Sequence, residues 1–205
     1  MIELELFLTV FVTLIVVVDP IGLAPLFVAL TDGMDAPRRR AIALRACLIA
    51  FTILAMFGLV GENFLTAVGI SMPAFRISGG VLLFITALDM LFDRRSQRRE
   101  SNAAAENDPS VFPLAMPFIA GPGAMTTVIL LSDEHPDVIG QSVVFGVLFI
   151  VLLIVFVMFL ISGILAKAMG RTGIIVTTRL FGIFLSALSV QFILDGLSDF
   201  GLVPG

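Results

Sequence analysis

Two proline- and glycine-rich interruptions constrain this chain more than any other feature. The first is DPIGLAP, Asp19 to Pro25, and the second is PLAMPFIAGPG, Pro113 to Gly123. Each lies inside a stretch apolar enough to cross a bilayer. The bilayer core has no water to satisfy unpaired backbone groups, so a helix broken there must be sheltered by protein or line a cavity. The interruptions also repeat. Pro20 and Pro122 are 102 residues apart, as are Gly61 and Gly163. Arg76-x-x-Gly79 and Arg179-x-x-Gly182 are 103 apart, and Asp32 and Asp133 are 101 apart.

Apolar runs long enough to span the membrane are predicted at 4–30, 41–61, 73–92, 111–132, 140–166 and 174–194. A mean hydropathy of +1.11, with 59% hydrophobic and 14% charged residues, excludes a soluble domain of this length. The six runs fall three to a copy, and an odd number turns the second copy upside down. The expected fold is therefore an all-α integral membrane protein of six transmembrane helices, arranged as two inverted three-helix repeats with broken first helices. It is read as one multi-pass domain over 1–205: repeat one at 1–95, a polar linker at 93–110, and repeat two at 111–205. Glu3 and Glu5 stand where a signal peptide would be basic, so the first span is expected to remain as a membrane helix.

Eleven of the twelve basic residues lie on one side of this topology. Arg38, Arg39, Arg40 and Arg45 flank loop one; Arg94, Arg95, Arg98 and Arg99 lie in loop three; Lys167, Arg171 and Arg179 flank loop five. Only Arg76 is on the other side. The positive-inside rule then makes loops one, three and five cytoplasmic and both termini periplasmic. The linker reads as a solvated topology signal, with contact to anionic lipid as the alternative. One cysteine (Cys47) and one histidine (His135) leave no disulfide and no Cys/His metal cage. No cofactor and no nucleic acid is expected; the partners are the lipid bilayer and a small solute.

The order of residues at the first break is informative. Asp19 then Pro20 is an N-cap followed by the favoured first helical residue. One half-helix should end near Val18 and a second begin at Pro20, with Asp19 near mid-bilayer. In the second copy Gly121 takes the cap position and Pro122 the first helical one, with the hydroxyls of Thr126 and Thr127 about a turn later. Two half-helix N-termini would then face each other, each with free N–H groups and a partial positive charge suited to an anion. Asp19 could pair with an ammonium, a proton or Na⁺. The candidate substrate-binding residues are Asp19, Pro20, Gly22, Gly121, Pro122, Gly123 and Thr126. The architectural alternative is that Asp19 only caps its half-helix and the Pro/Gly clusters only kink buried helices. An ionisable residue at that depth is costly, which favours function.

Arg76 and Arg179 are candidate gate residues, or simply snorkel to the interface. Gln191 is a candidate gate residue or an interhelical hydrogen-bond donor. Ser78-Gly79-Gly80 provides a small face for close packing. Enzyme signatures are missing: there is no His-Glu-x-x-His, no Gly-x-Ser-x-Gly and no phosphate loop. Asp19 also has no second mid-bilayer aspartate with which to share a proton. The chain is therefore not expected to be an enzyme.

The segments DPIGLAPLF (19–27), RRRAI (38–42), VGISMPAFRISGG (68–80), FPLAMPFIAGPGAM (112–125) and RLFGIFLSALSVQFILDG (179–196) resemble the MarC family of bacterial inner-membrane proteins. That resemblance implies six spans in the inner membrane. Part of the family is grouped with neutral amino acid transporters, and this assignment reaches the chain by analogy. Many relatives carry Asn after the Asp-Pro-x-Gly, where this chain has Leu23. The leading expectation is a secondary transporter of a small neutral solute, an amino acid before others. A non-transporting scaffold or envelope-integrity protein is the alternative from another class, and a passive channel the third.

Overall fold

The computed structural model describes residues 2–92 and 108–202, and every element among them is helical. In chain order these are α1 (Ile2–Val18), α2 (Pro20–Leu30), α3 (Ala36–Ala67), α4 (Met72–Leu91), α5 (Ser110–Ile119) and α6 (Pro122–Glu134). A last helical stretch, Val138–Asp199, is broken at Gly170 and supplies two crossings: α7 (Val138–Leu165) and α8 (Thr172–Asp199).

Five segments among the described residues are long and apolar enough to cross a membrane, and a sixth if the bent pair α5–α6 counts as one span. α1 and α2 together make one, Leu4–Leu30, while α5 and α6 form a pair bent by 58°. Local chemistry accounts for the starts. Asp35, Ser71 and Asp137 each accept a hydrogen bond from the backbone N–H three residues on, and Pro37 and Pro73 sit in the first turns of α3 and α4. α5 is irregular, its helical winding interrupted by extended backbone at Phe112 and Met116. Both residues precede a proline through a cis peptide bond.

Three sequence expectations change. The second span is longer than 41–61, because Asp35 caps it upstream and draws residues 38–40 into the helix. Loop five is no loop: Gly170 (φ 60°, ψ 174°) turns the chain alone, in a conformation that only glycine adopts readily. The linker ends before Ser110, which is buried at the start of α5, and Asp108 already pairs with Arg45 of α3. Arg94, Arg95, Arg98 and Arg99 lie outside the described residues.

The second halves of both broken spans are interior. Nine of the thirteen residues of α6 are buried. Half of the most apolar window of Leu4–Leu30 is buried, against 28–39% for α3, α4, α7 and α8. Those four helices carry most of the exposed leucine, isoleucine, valine and phenylalanine and would face lipid. α4 and α8 pack antiparallel at backbone distance. A Cβ on Gly80 would lie 2.7 Å from the Ser189 carbonyl oxygen, one on Gly196 2.9 Å from that of Pro73, and one on Gly182 3.1 Å from that of Ala87. Small residues at such crossings replace the hydrophobic effect, which lipid cannot supply, with close van der Waals contact.

Candidate functional site at the two helix breaks

Asp19 both closes α1 and opens α2. Its N–H donates to the Ile15 carbonyl at 3.0 Å, and its own carbonyl accepts from the Leu23 N–H at 3.1 Å. To do both, its backbone is left-handed (φ 52°, ψ 66°), a conformation that aspartate tolerates better than most residues. The carboxylate then folds back over α2: Oδ1 accepts from the Gly22 N–H at 3.0 Å. Glycine is required there, because a Cβ at position 22 would lie 2.0 Å from Asp19 Oδ2. Asp19 is fully buried.

This geometry corrects one expectation. The two half-helix N-termini are not equally open to an anion, because the chain's own carboxylate sits over α2. α6 differs. Gly121 is extended (φ −81°, ψ 170°) and gives no side-chain cap. Its lack of a Cβ serves close approach, since one would lie 2.6 Å from the Pro117 carbonyl oxygen. The first helical bond runs from Met125 N–H to the Gly121 carbonyl, 2.9 Å. The N–H groups of Gly123 and Ala124 precede it and have no acceptor within the helix. Both residues are buried. One turn on, Thr127 is fully buried and its hydroxyl has no hydrogen-bond partner among the described residues.

The breaks lie close together. A Cβ on Gly123 would lie 3.8 Å from Val17 Cγ1, two residues before Asp19, and 3.8 Å from Thr86 Oγ1. A Cβ on Gly22 would lie 3.0 Å from Thr178 Oγ1 of α8. Thr126 is buried and sets its Cγ2 against Gly79, where a Cβ would come within 2.0 Å. Asp19, Pro20, Gly123 and Thr126 thus belong to the interior, and Gly22 is half-buried beside them. Gly121 is half-buried and Pro122 exposed. Sequence reading missed Thr86 and Thr178, which reach the breaks by tertiary register rather than by any local pattern. Leu23 is fully buried, so the position after Gly22 adds packing and no polar group.

Two side-chain clusters tie the helices together away from Asp19. At one end Arg76 gathers three carboxylates: Glu134 and Asp199 at 3.2 Å each and Asp133 at 3.8 Å. The Arg76 side chain is only 12% exposed, so this is a tie between α4, α6 and α8 rather than a snorkelling cation. At the other end Phe27 and Phe159 stack at 4.4 Å. The Arg39 guanidinium lies 5.7 Å over the Phe27 ring and donates to Ser162 Oγ at 3.3 Å. Arg179 is exposed and makes no ion pair among the described residues. Gln191 lies on α8 opposite the last turns of α1. It donates to Asp195 Oδ1 at 2.7 Å and lines a cavity of ≈ 350 Å³ between α1 and α8 with Thr13 and Phe184.

Comparison with known proteins fits this architecture. The description "MarC family integral membrane protein" matches residues 4–200. A UPF0056 membrane protein of Aquifex aeolicus is 36% identical over 199 residues, covering 95% of this chain and 93% of the relative. One from Archaeoglobus fulgidus is 36% identical over 200 residues, covering 96% and 94%. The UPF0056 inner membrane protein YhgN of Escherichia coli is 34% identical over 190 residues, covering 91% and 93%. No solved structure matches the chain. With the match running through both breaks and all the candidate spans, the chain belongs to the MarC family of multi-pass integral membrane proteins.

Proposed function

We propose that this protein is a secondary transporter of a small neutral solute carrying both charges, an amino acid being the class that fits best. The observation that carries the reading is the unequal pair of breaks: a buried carboxylate at one, and buried uncapped N–H groups with an orphan hydroxyl at the other. Gly123, Ala124 and Thr127 would receive the carboxylate of a zwitterion, as helix N-termini do. Asp19 would receive its ammonium, or a coupling proton or Na⁺. Broken helices meeting inside a bundle are the usual setting for such sites. The named E. coli relative and the distribution of basic residues support an inner-membrane protein with both termini periplasmic, which puts the Arg76 cluster on the outer side.

The test is counterflow of labelled neutral amino acids into proteoliposomes, wild type beside Asp19→Asn. Saturable exchange that the variant loses supports the reading. No exchange by correctly inserted wild-type protein, across the neutral amino acids, refutes the substrate class and favours the scaffold.

A further inference from the structure

α3 and α7 enclose an apolar groove of ≈ 320 Å³ that shares no residue with the two breaks. Cys47 and Leu152 are buried along its floor. Leu44 and Leu48 of α3 and Leu153 of α7, each about half exposed, form its sides. Phe51 and Phe149 meet edge to face at 6.1 Å and close one end.

The other end runs towards the basic start of α3. Leu44, Cys47, Leu48 and Phe51 follow the spacing of one helix face, and Arg40 stands one turn before Leu44 on that face. On α7, Gly163 lies two turns beyond Phe156, and a Cβ there would meet nothing within 4 Å, so this end is open. Arg40 is exposed and makes no ion pair among the described residues, whereas Arg45 pairs with Asp108.

The length of the groove identifies its occupant. Phe51 stands at the middle of the 32-residue α3. Arg40 is eleven residues earlier, about 16 Å at ~1.5 Å per residue. One leaflet of a hydrocarbon core of ~30 Å is about 15 Å thick. The groove therefore runs from headgroup level to the bilayer centre, the reach of one acyl chain. Its lining offers no hydrogen-bonding group besides a thiol, so a polar occupant would leave its own groups unpaired.

We propose that this groove is a binding site for an anionic phospholipid, with one acyl chain over Cys47 and Leu152 and the phosphate at the Arg40 guanidinium. A guanidinium presents paired N–H donors that match phosphate oxygens. The lipid bridges α3 of the first copy and α7 of the second. The site does not depend on the transport reading, since it shares no residue with the breaks.

The experiment uses fluorescence quenching. The chain has no Trp and no Tyr, so one introduced Trp reports only on its own surroundings. Leu48→Trp and Leu153→Trp place it on either side of the groove, so poor folding of one variant does not decide the result. Val190→Trp, at an exposed position of α8, is the control. Each is reconstituted in phosphatidylcholine vesicles in which a small fraction of the lipid is brominated, as phosphatidylglycerol in one series and phosphatidylcholine in the other. The groove positions should favour the brominated anionic lipid about fivefold, the factor that one arginine near anionic lipid supplies. Arg40→Gln should bring the two quenchers level, and the control should show them level throughout. Equal quenching at the groove with Arg40 in place overturns the proposal, because only ordinary surrounding lipid is then present. Quenching by neither lipid also overturns it, because a second copy then covers the groove. A preference that survives Arg40→Gln overturns it as well, because the headgroup is then held elsewhere.

Discussion

Replacing Asp19 with asparagine, glycine and alanine separates its architectural role from its chemical one. The residue does three things: it holds a left-handed backbone, it accepts the Gly22 N–H, and it carries a buried charge. Asparagine keeps the first two, since it tolerates the left-handed region and its Oδ1 still accepts. Glycine keeps the first and loses the cap, at a cost of a few tenths of a kcal/mol. Alanine loses both: about 1 kcal/mol for the cap and about 1–2 kcal/mol for a Cβ in the left-handed region. The stability order is therefore Asn near wild type, then Gly, then Ala lowest by about 2–3 kcal/mol. That difference corresponds to a midpoint some 5–10 °C lower in thermal unfolding of the detergent-purified protein. Counterflow should follow another order, lost in all three because all three lack the carboxylate. If alanine is as stable as glycine, the account of the backbone is wrong. If counterflow falls only as stability falls, with asparagine fully active, Asp19 is a cap and no more.

Thr127→Val should raise the substrate KM in counterflow and leave the thermal midpoint unchanged or slightly higher, by up to about 1 kcal/mol, because the buried hydroxyl has no partner to lose. Gly80→Ala drives a Cβ against the Ser189 carbonyl and should cost about 1–3 kcal/mol. Gly146→Ala meets nothing within 4 Å and should be neutral or stabilising by up to about 1 kcal/mol; equal midpoints for these two variants would refute the packing argument. Arg76→Gln leaves three carboxylates gathered without their cation and should cost about 2 kcal/mol, a figure reduced from the fully buried case because those groups are partly exposed. Adding Asp133→Asn should restore part of that loss, as measured by a double-mutant cycle.

The crossings and both breaks were legible because their signals are local. Asp19-Pro20 and Gly121-Pro122 read as helix starts from adjacent residues, and the structure begins α2 and α6 at those prolines. The apolar runs matched the crossings because a bilayer sets helix length. Less could be read where the outcome depends on a dihedral angle or on register. The two caps already differ in sequence, Asp19 at one break and Gly121 at the other, but nothing in the string shows that Asp19 turns left-handed to place its carboxylate on the Gly22 N–H. Gly170 looked like one residue of a loop, whereas its backbone makes the whole turn. Thr86 and Thr178 come to the breaks only because α4 and α8 are placed as they are. Arg76 was readable as a cation near an interface, but its three carboxylates come from helix ends far apart in sequence.

The bend between α5 and α6 has a consequence for how the chain enters its membrane. At ~1.5 Å per residue the thirteen residues of α6 reach about 20 Å, short of a hydrocarbon core of ~30 Å, and the ten residues of α5 are interrupted by extended backbone at Phe112 and Met116. Joined at 58°, they cannot pass from the translocon into lipid as one straight rod. Both lie against α3, which is synthesised earlier and is long enough to cross unaided. Docking on α3, already in place, would let the bent pair settle into the membrane. Residues 108–202 expressed alone should insert poorly and recover when 1–95 is supplied as a separate chain.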